Sequence, residues 1–149
     1  MTSKDRVLER ERQRGRAAAM DVQKNAYSMS GTELYAAEDC IPSFCAASHN
    51  MNMLDRPVGF VCKSSAGRVV KLLQPYDSTV YTQEPEELPA QWGFKWSTDP
   101  SKALPYVAIS TSPYMTGDCC TENDRAYRSL IDNDVWAPSA YPQGWEAVT

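Results

Sequence analysis

The chain has 149 residues, a formal net charge of −4, 42% hydrophobic and 23% charged residues, and a mean hydropathy of −0.51. These values describe a globular chain of one ordinary domain or two small ones; they exclude a wholly disordered chain and leave little apolar surplus for a large core. Ten prolines and seven glycines break the chain into short elements and exclude a bundle of long helices.

Residues 1–29 form the first segment. Lys4, Arg6, Arg10, Arg12, Arg14 and Arg16 stand against Asp5, Glu9 and Glu11, so residues 1–16 carry +3 and the remainder −7. The interspersed acids read as helical i,i+4 pairing on a solvated face, and nucleic acid is not expected as a partner. No proline interrupts residues 3–26, where Val7, Leu8, Ala18, Ala19, Val22 and Ala26 fall near one stripe at three- and four-residue steps. This predicts a helix with a weak apolar seam, narrowed by Gly15. Two uses of that seam stay open: a short coiled coil between copies of the chain, or docking on a larger partner.

The segment lacks an apolar stretch of signal-peptide length, and no run anywhere is long enough to cross a membrane. Synthesis in a reducing cytosol with free thiols is therefore expected, and membrane insertion is not. Cys40, Cys45, Cys62, Cys119 and Cys120 contain no C-x-x-C pair and are accompanied by one histidine, His49, so neither a metal nor another cofactor is expected.

Residues 30–55 are read as a short helix and connector. Ser30 followed by Glu33 is a capping-box pattern opening a helix over residues 32–39, which ends before the Ile41-Pro42 step. Residues 41–54 read as irregular, with His49 at the surface. No G-x-S-x-G motif, reactive cysteine context or phosphate loop appears in the chain, and no enzyme is predicted.

From Arg56 the texture changes to short β-type runs. Residues 56–97 form a first module with strands over 59–62 and 68–73, residues 98–112 link, and residues 113–149 form a second module with strands over 117–121 and 125–131. The turn-prone Glu122-Asn123-Asp124 joins the last two. The stretches Gly93-Phe94-Lys95-Trp96 and 103–109 are suited to add a strand and bind the modules together. The fold class is thus α+β, an N-terminal helix followed by two small antiparallel β modules.

The two modules are divergent copies. Gly59 and Cys62 match Gly117 and Cys120; Val70-Lys71-Leu72-Leu73 matches Tyr127-Arg128-Ser129-Leu130; Pro85 and Trp92 match Pro138 and Trp145 at the same spacing. A module this small spends its large aromatics on the core, so Trp92 and Trp145 are read as plugs. Glu86 and Glu87, adjacent in a loop, read as solvated turn charges rather than as the carboxylate pair of a glycosidase.

The second copy carries a family resemblance. Tyr114-Met115-Thr116-Gly117-Asp118, Ala126-Tyr127-Arg128-Ser129, Val135-Trp136-Ala137-Pro138 and Pro142-Gln143-Gly144-Trp145 together resemble the small chitin-type carbohydrate-binding modules. The ending also looks like modules appended to tail and other virion proteins of bacteriophages infecting gut bacteria. Two departures stand out: Ser129-Leu130-Ile131-Asp132 occupies the place of the family's adjacent stacking aromatics, and the first copy has Gly59-Phe60 in place of Gly-Asp.

The resemblance implies a virion protein, made in the host bacterial cytoplasm, that displays modules for attachment to a host-surface glycan. It also implies other virion proteins as partners and a homo-oligomer, a trimer by analogy with fibre proteins. Trp136 and Tyr141 offer flat faces for a pyranose, Asp132 and Asn133 supply polar groups, and Tyr114 is expected to line the same face. In the other reading of the same residues, Trp136 packs across the hairpin and residues 132–134 only form a turn. The corresponding functional alternative is an assembly protein whose modules make protein contacts.

Overall fold

A computed structural model describes residues 2–148. It is a mixed α+β fold: an N-terminal helix is followed by a three-stranded antiparallel sheet and a four-stranded sheet. Helix α1 (Ser3–Asn25) opens on a capping box, with the Thr2 hydroxyl accepting from the Asp5 amide and the Asp5 carboxylate accepting from the Thr2 amide. Among the described residues, burial against the body is confined to its C-terminal end. Val22 and Ala26 are buried, whereas Val7 and Leu8 are 51% and 42% exposed.

Helix α2 (Gly31–Ala36) has the expected Ser30/Glu33 capping box and stops at Ala36, with a 3-10 turn over Glu38–Cys40 in place of its last residues. Gly31 is obligatory there because a Cβ would lie 2.0 Å from the Trp96 carbonyl oxygen. The segment expected to be irregular holds a helix, α3 (Phe44–Asn50), capped by the Ser43 hydroxyl on the Ala46 amide. It buries only Phe44 and Ala47, too few positions to show a helical period in the sequence. His49 is exposed at its last turn.

Strands β1 (Val61–Lys63), β2 (Val69–Leu72) and β3 (Trp92–Phe94) pair antiparallel in that order. In β2 Val69, Val70 and Leu72 are all buried, because the sheet is covered on both faces. One face meets Val22, Ala26, Leu34, Tyr35 and Ile41; the other meets the core that the two sheets share. The second sheet runs β4 (Leu104–Pro105), β5 (Cys119–Glu122), β6 (Arg125–Ser129) and β7 (Trp145–Ala147). Within residues 103–109, the strand suggested by the sequence is the two-residue β4, which pairs parallel to β5. The β5–β6 turn places Asn123 and Asp124 at φ 53° and 62°, the left-handed pair of a tight hairpin.

The copies superpose in their hydrogen bonds. Gly59 donates to the Leu72 carbonyl at 2.8 Å and Gly117 to that of Ser129 at 2.9 Å. Leu73 donates to Gln91 at 2.7 Å and Leu130 to Gly144 at 2.8 Å, so Trp92 and Trp145 pair with Leu72 and Ser129 in the same register. Gly59 and Gly117 share a positive φ, 94° and 98°, and Pro85 and Pro138 are both buried.

Both tryptophans are core plugs. Trp92 meets Phe44 and Tyr76 edge-on and donates its indole N–H to the Tyr76 hydroxyl at 3.0 Å. Between the sheets Phe94, Trp96, Tyr114 and Tyr106 stack in a column, tightest at Trp96–Tyr114 with 4.2 Å between centroids, and Trp145 meets Tyr114 edge-on. Glu86 is not a solvated turn charge. It is mostly buried, accepts from Ser64 at 2.6 Å and pairs at 3.1 Å with Arg68, which also donates to the Pro105 carbonyl and so ties the first sheet to β4.

Candidate functional site

Residues 132–141 form the loop between β6 and β7 and carry four of the five candidate binding residues. Asp134, fully buried, exchanges backbone hydrogen bonds with Tyr114 at 2.8 and 3.1 Å. Its carboxylate accepts from the Ser129 hydroxyl at 3.1 Å and the Trp136 amide at 3.4 Å. Burial raises its pKa above the usual carboxylate range despite these bonds. Beyond it, the Tyr106 hydroxyl donates to the Val135 carbonyl, the Trp145 indole donates to the Trp136 carbonyl at 2.8 Å, and the Glu122 carboxylate accepts from the Ser139 amide at 3.0 Å.

The loop backbone is therefore anchored from both strands and from the linking segment, while two of its rings face outward. Trp136 is 49% and Tyr141 38% exposed, with ring centroids 5.2 Å apart and planes inclined by 40°. The tilt makes a shallow V rather than a flat platform. Gly144 seats the Tyr141 ring, since a Cβ there would lie 2.7 Å from Tyr141 Cδ1 and 3.0 Å from Asp134 Oδ2. Trp136 does not pack across the hairpin; its backbone carbonyl serves the fold and its ring stays outside.

The other candidates separate from this pair. Tyr114, expected on the same face, is only 1% exposed and is sandwiched between Trp96 and Tyr106, so its ring has no free side for a ligand. Burial drives its phenol pKa up, with the Val107 backbone as its polar neighbour. Asp132 accepts from the Thr116 amide at 3.0 Å, and the Thr116 contacts hold its carboxyl below the usual range. Asn133 sits in the left-handed region at φ 57° with its amide donating to Met115 Sδ. Both are exposed, but their hydrogen bonds run toward Met115 and Thr116, and residues 132–134 make the turn that the second reading of the sequence describes.

In the first copy the equivalent loop exposes Tyr81 without a ring partner among the described residues, while Tyr76 is buried on Trp92. The sequence reading missed Gly144, Glu122 and Tyr106. Gly144 was visible as a glycine directly before a core tryptophan, whereas the other two act through contacts distant in the chain.

All five cysteines are free thiols, with Cys45 exposed; burial raises the Cys120 thiol to about 12. Among the described residues no three His, Cys, Asp or Glu side chains gather as metal ligands, and no helix is long and apolar enough to cross a membrane. Compared with protein-family models, curated proteins and solved structures, the chain matches none of them.

Proposed function

We propose that this chain is a bacteriophage virion component, in a tail, fibre or capsid decoration, that presents the Trp136–Tyr141 face to a host-surface glycan. The observation that carries the reading is a pair of exposed aromatic rings on a loop whose backbone is anchored to the fold by Tyr114, Tyr106, Trp145 and Glu122. Such a pair suits the C–H face of a pyranose, and the resemblance of residues 114–145 to chitin-type modules points the same way. The reading is of a binding protein, not an enzyme. One shallow face binds weakly, so display in several copies, three in the simplest fibre arrangement, supplies avidity without new contacts.

A glycan array and a whole-cell pull-down with the full chain test it. Retention that is lost in Trp136→Ala supports the reading, and no retention by either protein overturns it. One observation favours an assembly role instead: α1 stands free along most of its length with Val7 and Leu8 exposed, as a docking element would. If Trp136 and Tyr141 lie buried against neighbouring subunits in the assembled particle, that second reading replaces the first.

A further inference from the structure

Apart from the Trp136–Tyr141 face, the last turn of α1 and the first sheet border a cleft of about 660 Å³. Three cations line it: Lys24 from the end of α1, Arg56 from the segment before β1, and Lys71 from β2. Among the described residues that line it none is Asp or Glu, although the chain carries 19 acids against 15 bases. Elsewhere the acids do find cations, in the pairs Arg68–Glu86 and Lys102–Glu38. Lys95, on the strand extension beside Lys71, has its pKa lowered by burial and by the Lys71 charge, so like charges crowd this side of the sheet.

Arg56 sits over the Phe60 ring at 4.4 Å and donates one Nη2 hydrogen bond to the Ala47 carbonyl. Its Nε is shielded from solvent and has no hydrogen-bond partner among the described residues, but the bond to Ala47 uses only one of the terminal guanidinium donors, so the others keep capacity for an anion in the cleft. Val58 and Leu73 are exposed along the same wall, and a Cβ on Gly59 would meet nothing within 4 Å, so the floor is open. Asp39 lies in the adjoining cleft, across Arg56 and Phe60.

We propose that this cleft is a second ligand site, one that takes a phosphate monoester with an apolar body. The near-dianionic phosphate matches a cleft lined by three cations better than a single carboxylate does, and the apolar body lies along Val58, Phe60 and Leu73. The volume is that of a small-molecule site.

The test is calorimetric titration of the full chain with 1-naphthyl phosphate, inorganic phosphate and neutral 1-naphthol. Saturable binding of the ester, tighter than inorganic phosphate and absent for the naphthol, is expected. Neither lysine side chain makes a hydrogen bond among the described residues, so a Lys24→Gln/Lys71→Gln double variant is expected to fold normally and to bind the ester at least about tenfold more weakly. Arg56→Gln is the weaker probe because it also frees the Ala47 carbonyl. Absence of saturable binding, equal binding of the naphthol, or a double variant within about twofold of the parent protein would overturn the proposal.

Discussion

The Gln23 side chain acts as a strand for Val61: its amide donates to the Val61 carbonyl at 2.6 Å, and its carbonyl accepts from the Val61 amide at 2.9 Å. Val61 begins the edge strand of the first sheet, whose open side would otherwise present unpaired backbone groups. The Lys63 amide, further along the same edge, donates to the Pro42 carbonyl at 2.9 Å. A helix residue and a loop carbonyl together close the edge.

Gln23→Ala removes both bonds and leaves two partly buried backbone groups to water or to nothing. The expected loss is about 1–2 kcal/mol of stability in urea unfolding, with faster amide exchange at Val61. A Val61 amide that exchanges no faster in the variant would show that Gln23 does not guard the edge.

Trp96 and Trp136 should respond oppositely to truncation. Trp96 lies inside the aromatic column between Phe94 and Tyr114, so Trp96→Ala opens a core void and costs about 3–5 kcal/mol. The Trp136 ring is half exposed and its hydrogen bonds to the fold come from its backbone amide and carbonyl, which Ala keeps, so Trp136→Ala costs less than about 1 kcal/mol. Denaturant midpoints measure both. If Trp136→Ala unfolds the chain, loss of glycan retention by that variant says nothing about binding.

How much of this was legible in the sequence follows from range. The repeat could be seen because its landmarks are local: a glycine at positive φ, a buried cysteine three residues on, and a terminal tryptophan, all kept in both copies. Gln23 could not, because its partner is 38 residues away and an amide on a helix carries no mark of it. Tyr114 was misplaced for a similar reason. Its motif position suggests an open strand face, but that face is filled by Trp96 and Tyr106 from the segment between the modules. That Trp136 and Tyr141 share one short loop before the core tryptophan is local and legible; that their exposed rings meet at 5.2 Å is seen only in the structure.

Gly144→Ala tests whether those two rings work as a unit. The added methyl cannot coexist with Tyr141 in its place, so the ring moves away from Trp136 and stability falls by about 1–3 kcal/mol. Under the proposed function, Gly144→Ala loses glycan retention along with Trp136→Ala while keeping its circular dichroism spectrum. Full retention by Gly144→Ala alone would remove Tyr141 from the binding face.

Asp134 gives the chain a pH signature. Its folded pKa lies above that of an unfolded aspartate because burial disfavours the charge. The unfolded state therefore releases its proton first as pH rises, and stability is lost on going up through this range and regained as pH falls through the folded pKa. An amide retains an acceptor for the Trp136 amide and a donor toward the Ser129 hydroxyl, so Asp134→Asn is expected to be at least as stable at pH 7. Urea midpoints should show that advantage shrinking as pH falls toward about 4, the range of free carboxyl groups. An advantage that grows on acidification would reverse the assignment.

Residues 3–17 and 18–25 do different physical work, although one helix contains both. Among the described side chains of residues 3–17 none is buried, whereas Val22, Gln23 and Ala26 hold the first sheet. Removing residues 1–17 should change the urea midpoint of the remaining fold by less than about 0.5 kcal/mol in stability, since few buried contacts are lost. Removing residues 1–27 strips the sheet of Val22, Gln23 and Ala26 and should leave a chain that no longer unfolds cooperatively. If the seam of Val7, Leu8, Ala18 and Ala19 assembles copies, the full chain sediments as an oligomer and the chain lacking residues 1–17 as a monomer. An oligomer that survives the shorter deletion places its interface on the sheets instead, where the exposed Trp136 and Tyr141 would be the first residues to examine for burial between subunits.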